Sequence, residues 1–168
     1  MSEPLGGTAS LYEVALAYYR SAGWPVEELG DGVGLSLDIE GSDGAWTAIA
    51  IADDEAQRFV FYSLSPVDAP ESHRVPLAEL LHRANHGLVT GAFEMDVDTG
   101  EMRLRTGLEL FDLPEELRTP TLLAFLVREL SAANVGIFDR YLPGIIGVLA
   151  GADPAQVVHD IEETGPVA

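Results

Sequence analysis

From Gly91 to Leu110 apolar and charged residues alternate. Phe93, Met95 and Val97 are interleaved with Glu94, Asp96 and Asp98. Beyond Thr99-Gly100, Met102 and Leu104 are interleaved with Glu101, Arg103 and Arg105. A period of two broken by a turn predicts a β-hairpin over 91–110 with one buried face. Matching the faces sets an expected register of Val97 opposite Met102, Asp96 opposite Arg103, Met95 opposite Leu104 and Glu94 opposite Arg105. A slip of one residue would turn apolar side chains against charged ones.

The same period runs through 33–64, where it predicts a three-stranded meander. Val33, Leu35, Leu37 and Ile39 share one face. The turn Gly41-Ser42-Asp43-Gly44 follows, and pairing Ile39 with Trp46 places Ala48, Ala50 and Ala52 on that same face. A row of alanines lets a helix come close to the sheet. The third strand, Arg58 to Leu64, has bulky residues on both faces.

A helical period appears in four places. Over 8–22, Leu11, Val14, Ala15 and Tyr18 form a stripe behind a Ser10…Glu13 capping box, with Gly23 and Pro25 after it. Over 75–86, Pro76 opens a helix whose stripe is Leu77, Leu80, Leu81 and Ala84, and Gly87 closes it. Over 119–150, Thr119-Pro120 starts an apolar pattern that continues through Leu130, Phe138, Ile145 and Val148. That length is unusual, and Pro143 removes one backbone bond, so a kinked helix or two pieces are expected near Pro143. Asp153-Pro154 caps a last short helix over 153–163. The fold class is therefore α+β: a five-stranded antiparallel sheet, meander plus hairpin, packed with helices in the order α-β-β-β-α-β-β-α-α. No linker or repeat divides the 168 residues, so one domain over 1–168 is expected.

Composition changes this picture mainly through charge. There are 28 acidic residues against 9 basic ones, all Arg, for a formal charge of −19. Such a field repels phosphate and argues against direct nucleic-acid binding; a partner selected by charge would be basic. Absence of cysteine excludes disulfides and thiolate chemistry. No export signal or membrane span is recognised, so a cytoplasmic location is expected.

Candidate chemistry is sparse. His82 and His86 stand four apart on the second helix, a spacing that aims two imidazoles from one face, but no third ligand is fixed nearby. Asp38, Glu40, Asp43, Asp53, Asp54 and Glu55 cluster near the ends of the first two meander strands. Paired carboxylates do acid–base work only where burial splits their pKa values, and these lie in turns. Asp96 to Glu101 resembles a calcium loop superficially, but Gly100 stands where an oxygen ligand is required. No nucleotide-binding glycine motif and no nucleophile elbow occurs. No cofactor, metal or catalytic residue is assigned.

An ordered set of residues carries a family resemblance. Val75-Pro76, Leu80-Leu81 and Asn85 precede Gly91, Phe93, Met95-Asp96, Gly100, Met102 and Arg105. The run Asp139-Arg140-Tyr141-Leu142-Pro143-Gly144-Ile145 then leads to Gly151, Pro154 and Ile161-Glu162. Over roughly 75–162 this resembles the YbjN-like proteins, labelled bacterial sensory transduction regulators. The resemblance implies a fold like that of type III secretion chaperones, a homodimer, and binding to proteins without catalysis. The expected function is a chaperone-like or regulatory adaptor. Its contact surface is expected on the hairpin edge or long helix, with Phe93, Leu126, Phe138, Tyr141 and Ile145 as interface candidates. The alternatives are an enzyme or metal-binding protein using His82 and His86 or the carboxylates, and an acidic protein that occupies the basic face of a nucleic-acid-binding protein.

Overall fold

A computed structural model describes residues 9–164; residue 8 of the first predicted helix, and both ends of the expected domain over 1–168, lie outside them. The first helix forms as α1 (Leu11–Ser21), with the Ser10 hydroxyl accepting from the Glu13 amide at 3.2 Å. The other half of the expected capping box is replaced from a distance. The Asp54 carboxylate accepts from the Ser10 hydroxyl at 2.8 Å and from the amides of Leu11 at 2.6 Å and Tyr12 at 3.3 Å. A carboxylate at a helix N-terminus meets free amides and the positive end of the dipole. Here it also fastens α1 to the turn between two strands.

The meander forms as β2 (Gly34–Glu40), β3 (Ala45–Asp53) and β4 (Arg58–Leu64), with Ile39 opposite Trp46 as the matched faces require. The sheet has six strands and not five. The additional strand, β1 (Val26–Glu28), pairs antiparallel with β2 at the edge, Val26 opposite Leu37. It holds one apolar residue between Pro25 and Leu29, too little for a periodicity, and becomes a strand through its partner. The hairpin forms as β5 (Ala92–Met95) and β6 (Met102–Glu109), giving a fully antiparallel order β1-β2-β3-β4-β6-β5.

Its register is two residues away from the expected one: Met95 opposes Met102, Glu94 opposes Arg103, and Phe93 opposes Leu104. The faces are kept because the slip is even. A wider turn causes it. The Asp96 carboxylate accepts from the amides of Asp98 at 2.8 Å and Thr99 at 3.1 Å, and the Gly100 amide returns to the Asp96 carbonyl at 2.7 Å. Gly100 has φ +86°, and a Cβ there would collide with the Ala69 carbonyl oxygen, so this position admits only glycine.

The helices α2 (Arg74–Gly87), α3 (Pro120–Leu149) and α4 (Pro154–Glu163) complete the fold, with short 3-10 turns at Glu71–His73 and Glu115–Leu117. α3 is a single helix through Pro143, not two pieces. Pro143 is exposed, and its ring removes one backbone bond of the helix. α1, α2 and α3 pack on one face of the sheet, and α4 packs on α2 and α3. Beneath them lie Leu35, Leu37, the Ala48-Ala50-Ala52 row, Phe59, Phe61 and Leu104, all buried.

A belt of hydrogen bonds crosses this core. The Asn134 amide donates to the carbonyls of Phe61 at 3.0 Å and Leu104 at 3.1 Å. The Thr106 hydroxyl donates to the Leu130 carbonyl at 3.0 Å, and the Tyr19 and Ser131 hydroxyls share a bond of 2.7 Å. The paired groups of this belt fix one arrangement of α1 and α3 on the sheet, while the buried Asn134 Oδ1 finds no partner among the described residues. By length and composition α3 could cross a membrane, with mean hydropathy 1.4 over its apolar window; in this fold Leu123, Val127, Phe138 and Tyr141 bury its inner side within the protein.

Candidate functional site

Helices cover one face of the sheet, and strand alternation decides what the other face shows. Ile49 opposes Tyr62, Ile51 opposes Val60, and Leu64 lies two residues beyond Tyr62 on β4. None of these five is among the buried core residues, whereas their neighbours Ala48, Ala50, Phe59, Phe61 and Ser63 are. An antiparallel sheet packed on one side ordinarily shows polar residues on the other. Here the centre of the open face is apolar and its margins are charged.

Those margins are predominantly acidic. Glu94 takes both nearby guanidiniums, Arg103 at 2.8 Å and Arg105 at 2.7 Å, and Arg58 stands 3.6 Å from Asp53. Burial pushes the Glu94 carboxyl up, but the hydrogen bonds from Arg105 and Arg103 more than offset this and hold it below the usual range. Arg103 also lies over the Tyr62 ring, 4.6 Å from its centre. Glu27, Asp38, Glu40 and Glu109 lie on the same face by register and make no salt bridge among the described residues. Asp38 and Glu40 line a groove of about 490 Å³ that also touches Leu64 and Pro66.

A second uncovered surface runs along α3. At about 100° per residue, Phe125, Ala132, Gly136, Pro143 and Ala150 fall on one outward line, with Ile146 beside it. Phe125 is 48% and Ile146 45% exposed. The charges on this strip are few and engaged: Arg128 pairs with Glu129 at 2.9 Å, and the Asp139 carboxylate accepts from the Ser42 amide at 2.8 Å.

The residues expected at an interface lie mostly elsewhere. Phe138 packs between Trp46 and Phe93, with ring centres 5.0 and 6.3 Å apart, and Tyr141 packs on Phe93 at 5.3 Å. Phe93, Phe138, Tyr141 and Ile145 are core residues of the single chain, so they offer no outer surface; only Leu126 is partly exposed. α3 is apolar on both sides, and its periodicity could not say which side meets the sheet. For the same reason the periodicity does not single out Phe125 and Ile146 as the exposed apolar residues of this helix.

His82 and His86 are both exposed. His86 shares a cleft of about 280 Å³ with His159 and Glu162, but Arg83 lines it too, and His82 does not. Among the described residues no group of three or more His, Asp or Glu converges as a metal site would require. The carboxylates of the meander are dispersed: Asp54 caps α1, Asp53 faces Arg58, and Asp38 and Glu40 are on the open face. A cavity of about 500 Å³ beside α1 is lined by Asp54, Gln57, Arg118 and Leu123. Two of its ionised groups already hold backbone: Asp54 accepts from the Leu11 amide at 2.6 Å, and Arg118 donates to the carbonyls of Leu113 at 2.9 Å and Leu110 at 3.1 Å. Asn85 works structurally, bonding both the amide and the carbonyl of Phe93 at 2.7 and 3.0 Å.

The architecture is that of an α+β protein with a six-stranded antiparallel sheet and helices on one face. Residues 13–128 match the YbjN family, described as "Putative bacterial sensory transduction regulator", and the chain belongs to that family. The crystal structure of YbjN from E. coli, described as "a putative transcription regulator", has the same fold. It superimposes with a TM-score of 0.53 at 16% identity, covering 83% of this chain and 94% of that one. No curated protein matches the sequence.

Proposed function

We propose that this chain is a non-enzymatic, homodimeric protein-binding module, a regulatory adaptor of the chaperone-like kind acting in the cytoplasm on a basic protein partner. The family is described as regulatory, which supports the adaptor part. The homodimer rests on one observation: the charge-poor outward strip of α3, with Phe125 and Ile146 each nearly half exposed. Chains of formal charge −19 repel each other, and contact is least costly where charge is scarce. Leu126, half-buried on the same helix, is a candidate interface residue in this reading.

Light scattering of the full chain tests the dimer. A dimer is expected at micromolar concentration. Phe125→Arg together with Ile146→Arg is expected to give a monomer whose thermal midpoint stays within about 5 °C of the parent, because surface substitutions cost little. A wild-type chain that stays monomeric at 100 µM would refute self-association.

A second reading has support from the charge: an acidic protein that occupies the basic face of a nucleic-acid-binding protein. It predicts that added DNA competes with this chain for its partner. Binding unaffected by DNA would exclude it.

A further inference from the structure

We infer that the open face of the sheet docks a basic amphipathic helix of another polypeptide, the apolar side of that helix lying on Ile49, Ile51, Val60, Tyr62 and Leu64. This rests on the adaptor reading above and deepens it by naming the surface and the chemistry of its occupant. The two rows on β3 and β4 stand about 4.8 Å apart and run about 14 Å along the strands, at about 3.4 Å per residue. That is the apolar side of a helix of about ten residues.

Charge selects among occupants. Glu27, Asp38, Glu40 and Glu109 border the patch without a salt bridge, while Arg58, Arg103 and Arg105 are held by Asp53 and Glu94. Lysines or arginines flanking an apolar stripe would find these four carboxylates unpaired. A second copy would bring the same four carboxylates against them. Strand addition is served poorly, since the edge strands β1 and β5 have three and four residues.

The test uses the full chain and an 18-residue helical peptide with a leucine stripe and lysines elsewhere, beside its Lys-to-Glu counterpart. Amide shifts of the labelled chain map the contact, and anisotropy gives affinity. Expected are shifts at residues 47–51 and 60–64, and no binding of the acidic peptide. Ile49→Thr with Tyr62→Thr keeps strand formers at both positions. It should weaken binding by about tenfold or more, since central apolar contacts dominate such interfaces. Asp38→Asn with Glu40→Gln should weaken it about threefold to tenfold, and the distant pair Glu55→Gln with Glu116→Gln less than about twofold. Equal losses in the distant pair would mean diffuse charge attraction and would overturn the docking site. So would shifts confined to α3, or concentration-dependent shifts at 49 and 62 without peptide, which would indicate a second copy. Those outcomes leave the adaptor reading standing; that reading fails separately if the chain neither dimerises nor holds any protein partner.

Discussion

Glu94 joins the edge of the sheet to its interior through two guanidiniums, Arg103 and Arg105. Its carboxyl is held below the ordinary range, so the ionised form is favoured more in the folded chain than in the unfolded one. Such a group adds stability above its unfolded pKa, and that stability disappears as pH falls through the lower folded value. Replacing Glu94 by Gln is therefore expected to cost about 0.5–1 kcal/mol at pH 7, the pair being partly solvated. The difference should shrink below about pH 4, where the unfolded carboxyl starts to protonate. Urea unfolding of both chains at pH 7, 5 and 3 measures it. A gap that stays constant down to pH 3 would mean the ion pairs are not its source.

Among the elements, α3 shows what periodicity can and cannot convey. Its existence, its Thr119 cap and its length follow from the spacing of Leu122 to Val148, and the cap is observed, Thr119 Oγ1 accepting from the Leu122 amide at 3.2 Å. Which side is buried does not follow, because Phe125 and Ile146 are as apolar as Phe138 and Ile145. The side is chosen by Asn134, Ser131 and the sheet beneath them, all tertiary partners. The hairpin is similar. Its faces were legible in the alternation of Phe93 to Arg105, but its register was set by Asp96 side-chain bonds and by Ala69 pressing on Gly100. β1 left no signal because it borrows its ladder from β2. Pro143 also belongs at this scale. An interior proline costs a helix about 3 kcal/mol relative to alanine, partly regained from a stiffer unfolded chain. With Pro143 exposed, Pro143→Ala is expected to raise stability by about 1–3 kcal/mol. Calorimetry would show a higher midpoint; an unchanged or lower one would mean that Pro143 contributes to the fold at least as much as its missing backbone bond costs.

For the whole molecule, the distribution of charge matters more than its total. The sheet's open face has an apolar centre bordered by unpaired carboxylates, and the outer strip of α3 has few charges. Salt separates two such surfaces because screening shortens electrostatic range from about 10 Å at 0.1 M to about 3 Å at 1 M. The proposed self-association along α3 would bring two strongly acidic bodies together through an apolar strip, so salt would remove a repulsion and should tighten such a dimer. The proposed docking of a basic helix on the sheet face would gain attraction from Glu27, Asp38, Glu40 and Glu109, so salt should loosen that complex. Raising NaCl from 0.05 to 0.5 M is therefore expected to lower the dimer's Kd and raise that of the lysine peptide. Light scattering and anisotropy follow the two on one preparation. If both constants move in the same direction, one surface serves both contacts, and the division of labour between sheet and helix is wrong.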